Sequence, residues 1–338
     1  MDEVFARPGM IDMDRLKVLS EKSDARGWLQ VASHFGAIGL TGWAVHASLG
    51  TAWVVLPFVM HGVLLNYLYA GEHEFSHSTV FKSPALNEWF GRLCGLLTIH
   101  PRDFDQIQHF AHHRYTQKWA QDGELFRPRY TYRSFLFTMT GLWMVRRLPR
   151  MFMDAVKGRV DAPYIRGKNR DKVILEARVT VAIYVAVALL SLLLHSWAAL
   201  LYWFAPLVLT KWAHQPQNLI EHNGLPHEGP IHGIVRSTRT NAFMRWMCWN
   251  MQYHTAHHAY PSVPFHRLKQ LHQEAFTANG VEPPTMTYLG FYAAMLKALR
   301  ERGEAEQPDD AVWIGPTMTM TRAGAPEPAV QPAPASAA

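Results

Sequence analysis

The chain is poor in cysteine, in charge and in repeated units, and each shortage removes a class of protein. Two cysteines in 338 residues, Cys94 and Cys248, with no CxxC pattern, exclude a disulfide scaffold and a cysteine-held zinc site. Only 18% of the residues are charged and 49% are hydrophobic, which excludes disorder and coiled coil as the main architecture. No unit of fixed period recurs, and the first residues alternate basic and acidic without the apolar run and cleavage site of a signal peptide. The formal charge of +6 is modest, and its placement, described next, is explained without nucleic acid. Against these shortages stand 12 Trp, 15 Met, 17 Phe and, most unusually, 19 His. The aromatic and methionine content suits a membrane protein, whereas a mean hydropathy of −0.11 is too low for a chain lying wholly in lipid. A few spanning helices with a sizeable polar portion are expected.

Four apolar stretches approach the roughly 20 residues that cross a bilayer: about 29–49, 51–70, 179–196 and 197–212. Gly50 alone separates the first two, and the second two meet at His195–Ser196, so each pair reads as a tight helical hairpin. Basic residues avoid both hairpin tips: Arg7, Arg15, Lys17, Lys22 and Arg26 precede the first span, and 17 Lys or Arg lie between His73 and Lys172. By the positive-inside rule both termini and the long middle segment face the cytoplasm. Amphipathic stretches Leu86–Ile99 and Ser134–Met153 either lie along the membrane surface or form solvated helices of a cap. The expected organisation is a cytoplasmic segment 1–28, a membrane domain 29–303 and a disordered Pro/Ala-rich tail 304–338. The fold class is all-α and integral to the membrane, four spans in two hairpins under a cytoplasmic helical cap.

The histidines fall into three compact clusters: HEFSH (His73, His77), HFAHH (His109, His112, His113) and HTAHH (His254, His257, His258). Positions three and four apart share a helix face, so each cluster is expected to aim its imidazoles one way. Chance would supply only about 0.06 HxxHH strings at this histidine content, and there are two. Neutral imidazole suits iron, zinc, copper and nickel, and eight ligands exceed the four of one tetrahedral zinc, which points to two metal ions. In HQPQNLIEHNG, His214, Asn218 and His222 fall at i, i+4 and i+8 of an expected helix extending the fourth span. Glu74, Asp105, Asp122, Glu124 and Glu221 flank the clusters and are placed either to orient ligand imidazoles or to act as solvated or capping groups. Trp89, Trp212, Trp246, Trp249 and Tyr253 either line a substrate channel or pack at the membrane interface. The other histidines, His100 among them, read as structural.

With these motifs the chain resembles the membrane fatty acid desaturase and hydroxylase family, whose boxes are HxxxH, HxxHH and HxxHH around two membrane hairpins. The resemblance covers roughly residues 28–275, and HFAHHRYTQ and YHTAHHAYPSVPFHRL match the bacterial branch beyond histidine spacing. It implies a di-iron centre held by His73, His77, His109, His112, His113, His254, His257 and His258. It implies His222 as a ninth ligand, with Asn218 reaching a metal through water. It further implies dioxygen as co-substrate, a lipid or acyl substrate in a membrane, and electrons from a separate donor such as ferredoxin or a cytochrome with its reductase, since no HPGG haem motif occurs in the sequence. Desaturation and hydroxylation diverge after the same first C–H cleavage, so the ligands cannot separate them. Fatty acyl desaturation is the first reading; hydroxylation or ketolation of a lipid, terpenoid or amine-bearing compound is the second, and NLIEHNGL resembles the alkane hydroxylase branch. From another class, a metal transporter would also be His-rich, but it would carry its ligands inside the spans.

Overall fold

A computed structural model describes residues 10–118, 121–124, 131–160, 162 and 164–301, together with two short strands at 313–315 and 318–320. The described chain is almost wholly helical. The tail expected at 304–338 lies outside these residues except for the antiparallel pairing of Trp313–Gly315 with Met318–Met320. The helices used below are α1 (Met13–Leu19), α2 (Asp24–Ala47), α3 (Val55–Ser76), α4 (Pro84–Thr98), α5 (Arg102–Tyr115), α6 (Tyr132–Met139), α7 (Trp143–Val156) and α8 (Lys168–Leu193). They continue with α9 (Ala205–Leu209), α10 (Lys211–Ile220), α11 (Ile231–Ile234), α12 (Ala242–Met247), α13 (His254–Ala259), α14 (Leu268–Ala275) and α15 (Tyr288–Glu301).

Among the described residues, two helices are long and apolar enough to cross a membrane, Ala52–Ser76 and Lys168–Leu193. They differ in surroundings. The apolar window of the second is only 22% buried, and Val179, Ile183, Val185, Leu189, Leu190, Leu192 and Leu193 face outward. A core helix of a soluble protein would hide those side chains, and an outward apolar face of this size marks an interaction or membrane surface. α2, in the expected first span, also exposes Leu29, Leu40 and Trp43. The expected fourth span, 197–212, is broken: a π-helical turn at Leu200–Phe204 leads into the short α9, and Thr210 separates that from α10.

α3 is the central column. It packs against α2, α4, α9 and α10, and from Leu64 to Ser76 nearly every residue is buried. Gly62 lets α9 approach, because a Cβ there would collide with the Pro206 carbonyl oxygen. Polar side chains tie the bundle together where backbone partners are lacking. His61 bridges α2 and the π-turn through Thr41 Oγ1 (3.0 Å) and the Tyr202 carbonyl (2.8 Å). His34 meets the Leu64 carbonyl at 3.0 Å and accepts from Trp249 Nε1 at 3.0 Å, a satisfied core histidine. The N-terminal helix joins the same core: Leu16 and Leu19 are buried, and Arg15 makes a two-pronged ion pair with Glu274 at 2.6 and 2.8 Å.

α5, which carries the second histidine box, begins at Pro101 with no side-chain cap of its own. Glu176 of α8 supplies one, its Oε2 accepting from the backbone of Asp103 (2.8 Å) and Phe104 (3.3 Å). A carboxylate at a helix N-terminus also complements the helix dipole. This cap anchors the box helix to a long neighbouring helix.

Candidate metal centre

All nine histidines of the sequence reading lie together, in two groups. His73, His77, His109, His113 and His257 form one; His112, His222, His254 and His258 form the other, and within each group the donor nitrogens lie within 4.8 Å of one another. The expectation that each box aims one way requires correction, because the second and third boxes are both split. An α-helix turns about 100° per residue, so i+4 sits about 40° ahead of i and i+3 about 60° behind. The i,i+4 pairs stay together (His73 with His77, His109 with His113, His254 with His258). The i+3 residues, His112 and His257, cross to the other group. One helix thereby serves both groups.

The spacing within the second group tests whether an ion fits. His112, His222, His254 and His258 place their Nε2 atoms in a closed ring with edges of 3.2, 3.0, 3.1 and 3.2 Å. The centre of such a ring lies about 1.9–2.2 Å from each nitrogen, depending on pucker, which brackets the metal–imidazole bond of about 2.0–2.1 Å. In the first group, His109 Nε2 lies 2.8 Å from His77 Nε2 and 2.9 Å from His113 Nε2, and His113 Nε2 lies 3.1 Å from His257 Nε2. Nitrogens that converge in this way have too few protons to satisfy one another. His73 is buried with neither ring nitrogen hydrogen-bonded, although its ring touches those of His109 and His257. Orphaned buried imidazoles and converging lone pairs are what a cation would resolve, so the donor set fits two ions.

Burial holds these imidazoles neutral, as ligands must be. It pushes His109 down to about 4, and takes His77, His113, His254, His257 and His258 well below the usual histidine range, with the neighbouring imidazoles adding to the effect. Carboxylates stand behind the rings, at Nδ1. Asp122 Oδ1 accepts from His112 Nδ1 at 2.8 Å; Glu124 lies 3.7 Å from His109 Nδ1, Glu221 3.6 Å from His254 Nδ1, and Glu74 3.7 and 4.0 Å from Nδ1 of His73 and His257. The proton that Asp122 holds at His112 Nδ1 leaves that ring's Nε2 lone pair facing inward, while the longer carboxylate separations are electrostatic. Asp105 is placed differently, 3.2 Å from His100 and paired with no box histidine.

His222 and His214 part company. Past Ile220 the backbone keeps its helical course, with Glu221 in the right-handed helical conformation and the Asn223 amide 3.0 Å from the Leu219 carbonyl, and this last turn carries His222 into the second group. His214 stays outside both groups, its Nδ1 3.3 Å from Lys211 Nζ and its ring edge-on to Tyr67 and Tyr69. Asn218 borders a narrow recess beneath the histidines that is also lined by His73, His109, Glu124 and His254. A cavity of about 370 Å³, within the ordinary size of small-molecule sites, abuts that recess, and Tyr69, Glu124 and Asn218 line both. Its apolar walls come from α7 and α8, chiefly Trp143, Met144, Leu148, Phe152 and Ala177. None of the five aromatics weighed as channel lining borders it: Trp249 is a core residue against Phe75, while Trp89 and Trp212 are exposed. Sequence reasoning also passed over Thr116, whose Oγ1 lies 3.3 Å from His258 Nδ1, although its place four residues after His112 was a usable signal.

The fatty acid desaturase family model matches residues 50–288, and so covers all three boxes and the ninth histidine. Among curated proteins, an sn-1 oleoyl-lipid 12-desaturase of Arthrospira platensis is 22% identical over 274 residues, 72% of this chain and 74% of that protein.

Proposed function

The chain belongs to the fatty acid desaturase family, and from that premise we propose that it is a di-iron, dioxygen-dependent lipid oxidase whose reaction is acyl-chain desaturation. Family membership makes it an oxidoreductase acting on a lipid. The observation that carries the finer reading is the pair of converging imidazole groups beside an apolar cavity. Two iron ions held by these nitrogens would supply, with dioxygen and two electrons from a separate donor protein, an oxidant strong enough to break an unactivated C–H bond. The balance is two hydrogens removed from adjacent carbons, while dioxygen takes two further electrons and two protons and leaves as two waters.

The chain's own residues do the rest. Asp122, Glu124, Glu221 and Glu74 fix the ring orientations. The walls from α7 and α8 bind an acyl chain and exclude water, and the junction at Tyr69, Glu124 and Asn218 sets which carbon reaches the histidines. The relative's oleoyl-lipid substrate supports a lipid-linked acyl chain over a free terpenoid. The outward apolar faces of α2 and α8 support a multi-pass arrangement. In it the expected four spans form two hairpins, with both termini and the histidine site on the cytoplasmic side.

The test is expression in a host lacking unsaturated lipids, with lipid mass spectrometry and iron analysis of the purified chain. Products short of two hydrogens and about two irons per chain are expected. Products gaining one oxygen would establish the hydroxylase reading. One zinc per chain, with turnover surviving His112→Ala, would sink the di-iron reading.

A further inference from the structure

A third buried cluster of metal-binding type is left unused by the reaction just described. Glu72, His100 and Asp105 bring one donor atom each to within 4.8 Å of one another. Glu72 precedes His73 on α3, and the turn of about 100° between them sends its side chain toward α4, where Thr98 Oγ1 donates to Glu72 Oε2 at 3.2 Å. The backbone is shaped around the cluster. α4 ends at Ile99 in the left-handed conformation (φ 59°), and the His100 amide folds back onto the Gly95 carbonyl at 2.7 Å. Gly95 is obligatory there, since a Cβ would lie 2.8 Å from Glu72 Oε1 and collide with the His100 carbonyl.

The charge arrangement is incomplete as it stands. The Glu72 and Asp105 side chains are 0% and 6% exposed, and among the described residues His100 is the one ion-pair partner of each, at 3.9 Å and 3.2 Å. Arg102, close in sequence, is engaged with Glu88 at 2.8 Å. Among the described residues, Glu72 Oε1, Asp105 Oδ2 and His100 Nδ1 have no hydrogen-bond partner. Two desolvated carboxylates share one imidazole at short range, with Arg102 and Lys211 acting on Glu72 only from farther off, and buried charges of this kind are paired or coordinate a metal.

We propose that Glu72, Asp105 and His100 hold a third, mononuclear divalent ion of the first transition row, separate from the histidine centre. Two carboxylate oxygens and one imidazole nitrogen form a hard-to-borderline donor set suited to zinc, manganese or ferrous iron. Neighbouring ligands of a tetrahedral ion with bonds of about 2.0 Å stand about 3.3 Å apart; the Asp105–His100 separation matches at 3.2 Å, and Glu72, at 3.9 Å from His100, closes on the ion by a small side-chain shift. The dication neutralises both carboxylates and gives His100 Nδ1 a partner. His100 and Asp105 both line the large cavity, so the ion's fourth position opens into it and takes water. The site also clamps α3 to the start of α5, two elements that carry box histidines. This inference goes beyond the proposed function and does not depend on it.

The test uses the full chain in detergent, stripped by chelator and dialysed against zinc alone, with bound metal counted by mass spectrometry. His100→Gln removes a side chain that is 39% exposed and so perturbs folding little; Asp105→Asn preserves shape. Both should bind one equivalent fewer than wild type, or bind that equivalent at least about tenfold more weakly. The double variant His112→Ala/His257→Ala should keep the third equivalent at wild-type affinity, which separates this site from the histidine centre whatever that centre binds. Equal zinc content and affinity in wild type and His100→Gln would overturn the proposal, as would loss of the third equivalent in the double variant.

Discussion

Asp122 offers the sharpest test of how the second histidine group is held. Its side chain is 1% exposed and accepts three hydrogen bonds: His112 Nδ1 (2.8 Å) and the Glu124 amide (2.9 Å) on Oδ1, and the Gln117 amide (2.8 Å) on Oδ2. Asp122→Asn keeps the shape but turns one acceptor into a donor. The amide oxygen stays where it serves two donors, so the new NH₂ faces the Gln117 N–H. One buried hydrogen bond lost and one donor unmatched cost about 1–3 kcal/mol. Asp122→Ala strands both backbone amides and frees His112 to rotate, about 2–6 kcal/mol by the same reckoning, a large part of a typical folding stability. Loss of a group behind a ligand imidazole weakens metal binding by about 10–100-fold. The asparagine variant should fall near the lower figure and the alanine variant near the higher, while the group containing His73 and His77 is unaffected. Anaerobic cobalt titration followed by visible absorption reads the affinities, and thermal melts of the apoprotein in detergent read the stability. Wild-type affinity and melting in Asp122→Ala would refute the argument, because Asp122 Oδ1 is the acceptor that holds His112 Nδ1.

Four further outcomes are expected. His222→Ala should lose nearly all turnover and metal from its group, His214→Ala at most a modest part of either, and Asn218→Ala should fall between them; iron analysis and product assay on the three variants check the order. Ala155→Trp should fill the large cavity and lower turnover on long acyl chains at least about tenfold, with iron content unchanged, because pocket volume is lost without touching a ligand. The apoprotein should lose stability as pH falls from about 6.5 toward 4. His109 is held at about 4 in the folded chain, so below its usual value the unfolded chain binds more protons; its share is about 3 kcal/mol by pH 4, measurable by denaturant melts across that range. Reporter fusions at Gly50 should score as exported and those at Lys168 as cytoplasmic; a cytoplasmic Gly50 fusion would invert the proposed topology.

Helical character and the identity of the clustered histidines were legible along the chain because both are local properties. Apolar runs of helical length and the spacings HxxxH and HxxHH need no knowledge of what packs against them. Even the split of the boxes follows from about 100° per residue, once the i+3 imidazole is seen to point away from the i,i+4 pair. The break in the expected fourth span was less legible, since the π-turn at Leu200–Phe204 and the short α9 after it lie where the chain packs on α3.

Sequence alone therefore determined which residues can ligate, which stretches are apolar and which family the motifs resemble. The tertiary structure decided how nine histidines divide into five and four, which carboxylate stands behind which ring, and where an acyl chain would lie. It set Asp105 against His100, brought Glu72 to meet them from another helix, and built the cavity from α7 and α8. Many of these contacts join residues tens to hundreds of positions apart, such as Glu74 with His257 and Glu221 with His254. Their energies come from burial and from satisfying buried polar atoms, terms that exist only after the helices have packed.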